Sequence, residues 1–394
     1  MFELEKLLLA YRSCRKNKRN TIHALEYELD YEKNLLELSR RLKERTYECG
    51  RSICFAVTYP KLREVFASEF EDRVVHHLLV LKMEEKFEKT FSHSSFACRK
   101  EKGMLAASKY LRKMMLKITK NKTRSAYYGQ FDIKSFFMSI DKEVLLEILL
   151  RKINREFKNT DELIWLVEKV VNHDPTKNVL FKSSPSLLSE IPAGKSLFKV
   201  PKGKGLPIGN LTSQFFANVY LNELDQYIKR ELKVKYYVRY VDDMVLLSEN
   251  QEDLVFWREK INEFLKNKLK LELQPSKDKY GSVYSGVDFV GYVTKPAYSL
   301  SRKRVVKNLK SKLHYFNQGY VVSTKNSQQE VLPISLPPNR ENLERILCVV
   351  NSCYGHLIHS SSYGLRKKLF EKNFGILRDY FCPVNDYKFF EFSV

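Results

Sequence analysis

No apolar run in the sequence is long enough to cross a membrane, and the opening stretch Met1 to Leu9 is too acidic for a secretory signal. Both absences lead us to expect a cytoplasmic protein with no membrane partner. Cysteine pairing is missing as well. The seven cysteines (Cys14, Cys49, Cys54, Cys98, Cys348, Cys353 and Cys382) are odd in number, scattered, and form no Cys-x-x-Cys spacing. That pattern excludes a zinc ribbon and a disulfide framework and leaves reduced thiols. Acidic residues are in deficit, with 47 Asp and Glu against 69 Lys and Arg, a net charge of +22 that calls for a polyanionic partner. The basic residues are interleaved with aromatics along the chain rather than gathered into one amphipathic tail, which favours nucleic acid over an anionic membrane. No internal repeat is present. What remains is globular: 394 residues, 43% hydrophobic and 13% aromatic, enough for two or three compact lobes with a substantial core.

Residues 1–50 carry apolar positions at helical spacing (Phe2, Leu8, Leu9 and Tyr11, later Leu35, Leu36 and Leu38) between charged ones. Arg51 to Phe66 alternates and is read as a hairpin, followed by a helix from about Glu69 to Glu88. Lys109 to Arg124 holds seven basic residues and no acidic one, which suits either a solvated helix face or a phosphate-tracking surface. A strand over Tyr127 to Phe131 ends in Asp132, and Lys142 to Phe157 is an amphipathic helix. The span 173–205, rich in Pro, Ser, Gly and Lys, reads as a long, mostly irregular surface insertion. Helices are expected over Ser213 to Leu232 and Glu252 to Leu269, and one strand over Val287 to Val293. From Ser301 onward the pattern is helical: Arg302 to Phe316, Asn339 to Leu357, and Tyr363 to Asn373. The fold class is therefore α+β.

The most informative stretch is Tyr240-Val241-Asp242-Asp243. Two adjacent carboxylates lie between the apolar runs Tyr236-Tyr237-Val238 and Met244-Val245-Leu246-Leu247. Burying such a pair costs several kcal/mol unless a cation offsets it. A two-residue hairpin turn would project the carboxylates from a sheet edge, although Asp is also ordinary at a solvated hairpin tip. Transfer of a phosphoryl or nucleotidyl group needs two divalent metals about 3.5–4 Å apart, held by carboxylates and the substrate's phosphates. Asp132 at the end of one strand and Asp242 with Asp243 in a neighbouring hairpin would suffice.

Phe131-Asp132-Ile133-Lys134-Ser135-Phe136-Phe137, then Gly205-Leu206-Pro207-Ile208-Gly209-Asn210-Leu211-Thr212-Ser213-Gln214, then Tyr240-Val241-Asp242-Asp243, resemble the successive palm motifs of reverse transcriptases in order and spacing. Upstream, Pro60-Lys61-Leu62-Arg63, Asp72-Arg73-Val74-Val75 and Ser95-Phe96-Ala97-Cys98-Arg99 resemble the fingers motifs of bacterial, group-II-intron-like enzymes. Downstream, Lys277 and Asp288-Phe289-Val290-Gly291-Tyr292 resemble the motif with a pyrophosphate-side lysine and the primer-grip hairpin. The resemblance covers roughly residues 50–300. It implies a right-hand polymerase fold: an N-terminal helical extension (1–50), fingers (51–125), a palm with an antiparallel sheet (126–298, with the insertion 173–205), and an α-helical thumb with a C-terminal tail (299–394).

Roles follow from the resemblance. Asp132, Asp242 and Asp243 would bind two Mg2+ ions, with Mn2+ as a possible substitute. Lys61, Arg63 and Arg99 would contact the incoming dNTP, where guanidinium geometry suits phosphate. Phe137 would crowd a ribose 2′-hydroxyl and so select the deoxy sugar. Ile208, Gly209 and Gln214 would line the nucleotide site, where glycine permits close backbone approach. Lys277 could protonate the departing pyrophosphate, and Phe289, Gly291 and Tyr292 would form the primer grip. His356 and His359, with no third ligand nearby, are read as packing residues.

Ile208 and Gln214 depart from the retroviral form, which has Gln before the glycine and Pro after the serine. The pattern Ile-Gly-x-x-x-Ser-Gln resembles enzymes of diversity-generating retroelements and their relatives, which implies copying of low fidelity. Thumb-like sequence at Val350 to Leu357 and Tyr363 to Lys368 points the same way. The expected activity is RNA-directed DNA synthesis on an RNA template, with nascent DNA and dNTPs bound. The favoured role is a domesticated antiphage-defence reverse transcriptase working with a dedicated noncoding RNA and an accessory protein or second subunit. The alternatives are the error-prone enzyme of a diversity-generating retroelement, template-independent or protein-primed DNA synthesis, and a catalytically inactive RNA-binding protein.

Overall fold

The computed structural model describes residues 1–16, 21–59, 61–318, 321–322, 334–335 and 339–393. Pro60, the first residue of one fingers-like motif, lies outside them. The chain forms two compact units: Met1–Lys100 with Gly129–Leu246 and Glu252–Lys279, and Glu101–Tyr128 with Leu247–Gln251 and Tyr280–Val394. The elements are α+β, as the mixed periodicities predicted.

In the first unit the helices Leu4–Arg15, Ile22–Leu29 and Tyr31–Lys43 bring Leu7, Leu35, Leu38 and Leu42 inside. Tyr11 stacks on Tyr31 at 5.3 Å and meets the edge of Phe70, the first residue of the helix Phe70–Glu88. The strands Ser52–Val57 and Arg63–Ser68 pair antiparallel, with Val57 opposite Arg63. The span 173–205 is less superficial than its composition suggested. Its Val179–Phe181 joins that sheet parallel to Ser52–Val57, and Leu197 enters a small core with Cys54, Phe66 and Met138. Buried Glu64 accepts from the Leu197 backbone N–H, which pins the insertion to the sheet.

A four-stranded sheet runs in the order Tyr236–Tyr240, Asp243–Ser248, Tyr127–Asp132, Lys279–Ser282. Its inner strand Asp243–Ser248 is apolar on both faces, with Met244, Val245, Leu246 and Leu247 all buried, which is why the sequence there does not alternate. The helix Leu211–Gln226 is buried nearly all round and packs on Phe70–Glu88 and on Lys142–Glu156. Asp141 caps the latter helix, accepting from the Val144 N–H at 3.2 Å.

In the second unit the expected strand over Val287 to Val293 is instead a tight hairpin, Val287–Phe289 with Tyr292–Thr294, extended by Ser299–Ser301. Val290 and Gly291 both take positive φ (45° and 93°), the geometry of a two-residue turn that suits strand twist. The helices Lys303–Gln318, Arg340–Leu357 and Tyr363–Asn373 share a core of Leu309, Leu313, Ile346, Val350, Tyr354 and Leu369. The C-terminal tail is not helical: Phe381–Val384 pairs antiparallel with Phe389–Phe392, and Phe381 and Phe390 join the same core. No helix among the described residues is long and apolar enough to cross a membrane.

Candidate active site

The strands Tyr236–Tyr240 and Asp243–Ser248 are joined by only Val241 and Asp242, so the hairpin tip presents Asp242 from the sheet beside the strand that ends in Asp132. The segment after Leu269 reaches this point through backbone bonds from Lys134 N–H to Glu272 and from Gln274 N–H to the Asp132 carbonyl, at 3.0 and 2.8 Å. The turn Pro275–Lys277 then sets the Lys277 ammonium on the Asp132 carboxylate as a direct ion pair.

Burial first, and then the Asp132 charge, raise the Asp242 carboxyl to a pKa of about 6; Lys277 and Arg239 only partly oppose this. The structure therefore places Asp132, Asp242 and Lys277 within electrostatic reach of one another. Asp243 behaves differently. Its two oxygens accept from Nε2 of Gln130, at 3.0 and 3.3 Å. Among the described residues no three acidic, histidine or cysteine side chains gather as a ready ligand cluster. The donor set nonetheless fits hard divalent cations: two oxygen ligands that repel each other, with the Lys277 ammonium as a partial compensation.

The turn itself is strained. Val241 takes φ +55°, which a β-branched side chain tolerates poorly. Its carbonyl accepts from Nη1 of Arg239 at 2.8 Å. Arg239, 1% exposed, is held by the fully buried Asp225 through Nε at 2.8 Å and Nη2 at 2.5 Å. Tyr237 donates to the same carboxylate at 2.7 Å, and Arg239 Nη2 reaches Ser95 Oγ at 3.1 Å. A buried, bidentate ion pair thus supports the turn from below. Sequence reasoning missed Arg239, Asp225 and Gln130. For Arg239 a signal existed, since an arginine within Tyr236-Tyr237-Val238-Arg239-Tyr240 needs a buried acid.

Of the residues assigned to the nucleotide, Lys61 is exposed and Arg63 half-buried, and neither side chain has a hydrogen bond or ion pair among the described residues. The loop carrying Ile208 and Gly209 closes on the same strand, with Phe66 N–H donating to the Ile208 carbonyl at 2.8 Å. Gly209 has φ +131°, and a Cβ there would lie 2.3 Å from the Phe66 carbonyl oxygen, so only glycine fits. Asn210 accepts from Ser68 at 3.0 Å and Thr212 meets His76 Nδ1 at 2.8 Å, fixing the loop to Phe70–Glu88. Burial pushes His76 down to about 3, so it serves that contact neutral. Gln214 is exposed at the start of its helix. Phe137 meets Phe136 edge-on at 5.3 Å and packs against the core of Cys54, Phe66, Met138 and Leu197.

Arg99 stands apart from the expected nucleotide contact. Its guanidinium is closed on Glu88 and on the carbonyls of Ser92 and Ser95, at 2.6–2.8 Å, with the side chain 6% exposed. With those donors taken up, the structure gives it the part of a clasp for the 92–95 loop. Phe289, Gly291 and Tyr292 belong to the second unit, at the hairpin described above. There Tyr292 stacks on His356 at 4.5 Å and 16°, so that histidine packs as expected.

A family model described as reverse transcriptase (RNA-dependent DNA polymerase) matches residues 60–294. Protein YkfC of Escherichia coli (strain K12) is 25% identical over 265 residues, which is 59% of this chain and 63% of the relative. The chain thus spans less than two thirds of that relative's length. Among solved structures, apo telomerase from Candida tropicalis truncated from its C-terminal domain shares 15% identity at a TM-score of 0.43, over 68% of this chain and 58% of that one. Telomerase from Candida tropicalis in complex with a TWJ fragment of telomeric RNA shares 15% at a TM-score of 0.45, over 86% and 60%.

Proposed function

The chain belongs to the reverse transcriptase (RNA-dependent DNA polymerase) family, and on that premise we propose that it copies an RNA template into DNA from dNTPs by nucleotidyl transfer. The observation that carries the reading is the Asp132–Asp242 pair: one carboxylate at the end of a strand and one in the neighbouring hairpin turn, close enough for the charge on one to raise the pKa of the other, with Lys277 on Asp132.

Asp132 and Asp242 would hold two Mg2+ ions, with Asp243 completing the set after leaving Gln130. When bound, such ions activate the primer hydroxyl and neutralise charge on the triphosphate. The chain's own residues supply the rest. Lys61 and Arg63, which have no competing partners among the described residues, bind the triphosphate oxygens. Phe137 excludes a sugar carrying a 2′-hydroxyl, because its ring rests on a packed core and has nowhere to retreat. Ile208 and Gly209 bring backbone close to the nascent base pair, with Gln214 beside them. Lys277 Nζ, held at the site by Asp132, delivers a proton to the leaving pyrophosphate. The hairpin that carries Phe289, Gly291 and Tyr292, with the Phe289 and Tyr292 side chains buried within it, would hold the primer end.

The finer reading is a cytoplasmic antiphage-defence enzyme working with a dedicated noncoding RNA and an accessory protein or second subunit. The net charge of +22 supports the RNA partner. Purifying the protein after expression from its own locus and sequencing the nucleic acid that accompanies it tests this. One structured noncoding RNA with short or repetitive cDNA is expected. Copies of a protein-coding repeat with substitutions at adenines would instead assign it to a diversity-generating retroelement.

A further inference from the structure

A cavity of about 620 Å³ in the first unit, with none of Asp132, Asp242 and Asp243 in its lining, lies between the start of the helix Lys142–Glu156 and the insertion. Its walls carry Lys142, Lys177, Lys202 and Lys204 against one acid, Asp174. Asp174 is already engaged by the backbone and hydroxyl of Thr176, at 3.0 and 2.6 Å. None of the four lysines forms a salt bridge among the described residues, although this chain pairs many of its other basic residues. Lys142 is mostly buried, and its ammonium donates to the His173 carbonyl at 2.9 Å. Isolated surface lysines are ordinarily solvated; four that line one concavity against the single carboxylate of Asp174 leave it with excess positive charge and make an anion site.

The same cavity has an aromatic wall. Phe198 lines it, 43% exposed, and is braced from behind by Phe66 and Phe181 at 5.5 and 5.7 Å. A rigid exposed ring beside clustered ammonium groups matches the two halves of a nucleotide, a base to stack and a phosphate to neutralise. Gly203 and Gly205, with φ of +81° and +86°, fold the loop that carries Lys202 and Lys204 back onto the helix, where Lys142 N–H donates to the Gly203 carbonyl at 2.9 Å.

We propose that this cavity is a second nucleotide-binding site, separate from the catalytic carboxylates, which holds a phosphate on Lys177, Lys202 and Lys204 and stacks a base on Phe198. Single-stranded RNA is its ligand; that choice of source rests on the polymerase reading, whereas the site itself rests on the cavity. It would anchor RNA at a distance from the point of synthesis.

The test uses the full chain and a fluorescein-labelled single-stranded RNA of about 12 nucleotides, with anisotropy read across a salt series. Lys177→Ala with Lys202→Ala removes two exposed side chains. The slope of log affinity against log salt should fall by about 0.7, the share of the one phosphate that is no longer neutralised. Phe198→Ala should weaken binding roughly ten-fold while keeping the slope, and Phe198→Tyr should restore it. Unchanged affinity and slope in both variants would overturn the site. Retained RNA binding together with abolished binding of a fluorescent ATP analogue would overturn RNA as the ligand and assign the cavity to a free nucleotide. Asp132→Asn, measured in parallel, should lose primer extension and keep both RNA readouts. Disappearance of the cavity effect therefore remains distinguishable from failure of the polymerase reading.

Discussion

Replacing Asp242 with asparagine should make the metal-free protein more stable at neutral pH. The folded carboxyl is raised from 3.8 to about 6, first by burial and then by Asp132, so the folded state favours its protonated form. The stabilising contribution of that proton is complete below the unfolded pKa of 3.8 and is lost as pH rises through about 6. Above pH 7 the ionised side chain is therefore a liability, to a limit of about 3 kcal/mol from a shift of about two units at 1.36 kcal/mol each. Asparagine keeps the shape and carries no charge. Urea unfolding in EDTA should give Asp242→Asn a gain approaching that limit at pH 8, shrinking to about 1 kcal/mol at pH 4.5. A variant that is neutral or less stable at pH 8, or whose gain does not change with pH, would refute the claim that Asp242 is buried beside an Asp132 charge that Lys277 only partly compensates.

Arg239→Gln should cost about 3–5 kcal/mol in urea unfolding, because it strands the Asp225 carboxylate inside the protein. It should also lower kcat more than it raises the KM for dNTP, since the Val241 turn loses its brace; an effect confined to KM would remove Arg239 from that role. Phe137→Ala should admit ribonucleotides, measured as rNTP incorporation on a primed RNA template, and unchanged sugar selectivity would sink the steric account. Arg63→Ala should raise the dNTP concentration needed for half-maximal extension while leaving RNA affinity within about two-fold, as expected for a contact with nucleotide rather than template.

What was legible in the sequence follows from how local each signal is. The buried strands around Asp242, the strand ending in Asp132 and the helices of both units announce themselves by period and apolar run, and the family motifs add order and spacing. The Val290-Gly291 turn lacks the Asn-Gly signature, so periodicity alone read one strand there, whereas the motif resemblance implied the hairpin that is found. The C-terminal hairpin was hidden in a short tail, although Asn385 and Asp386, both at positive φ, are turn formers. Composition misled over the insertion: its Pro, Gly and Lys content reads as surface, while Leu197 and the contact with Glu64 tie it to the sheet. Arg99 and Asp243 show a different limit. A motif gives a residue's place along the chain but not the partner that its side chain meets, here Glu88 in one case and Gln130 in the other.

Primer extension tests the central claim most directly: the purified protein, a DNA primer annealed to an RNA template, dNTPs and Mg2+, with products resolved by length. The account predicts cDNA up to the template's end from the natural sequence and none from Asp132→Asn or Asp242→Asn, with all three binding the primed RNA alike. Extension that survives in those variants, or its absence from a natural protein that binds primed RNA and dNTP, would contradict it.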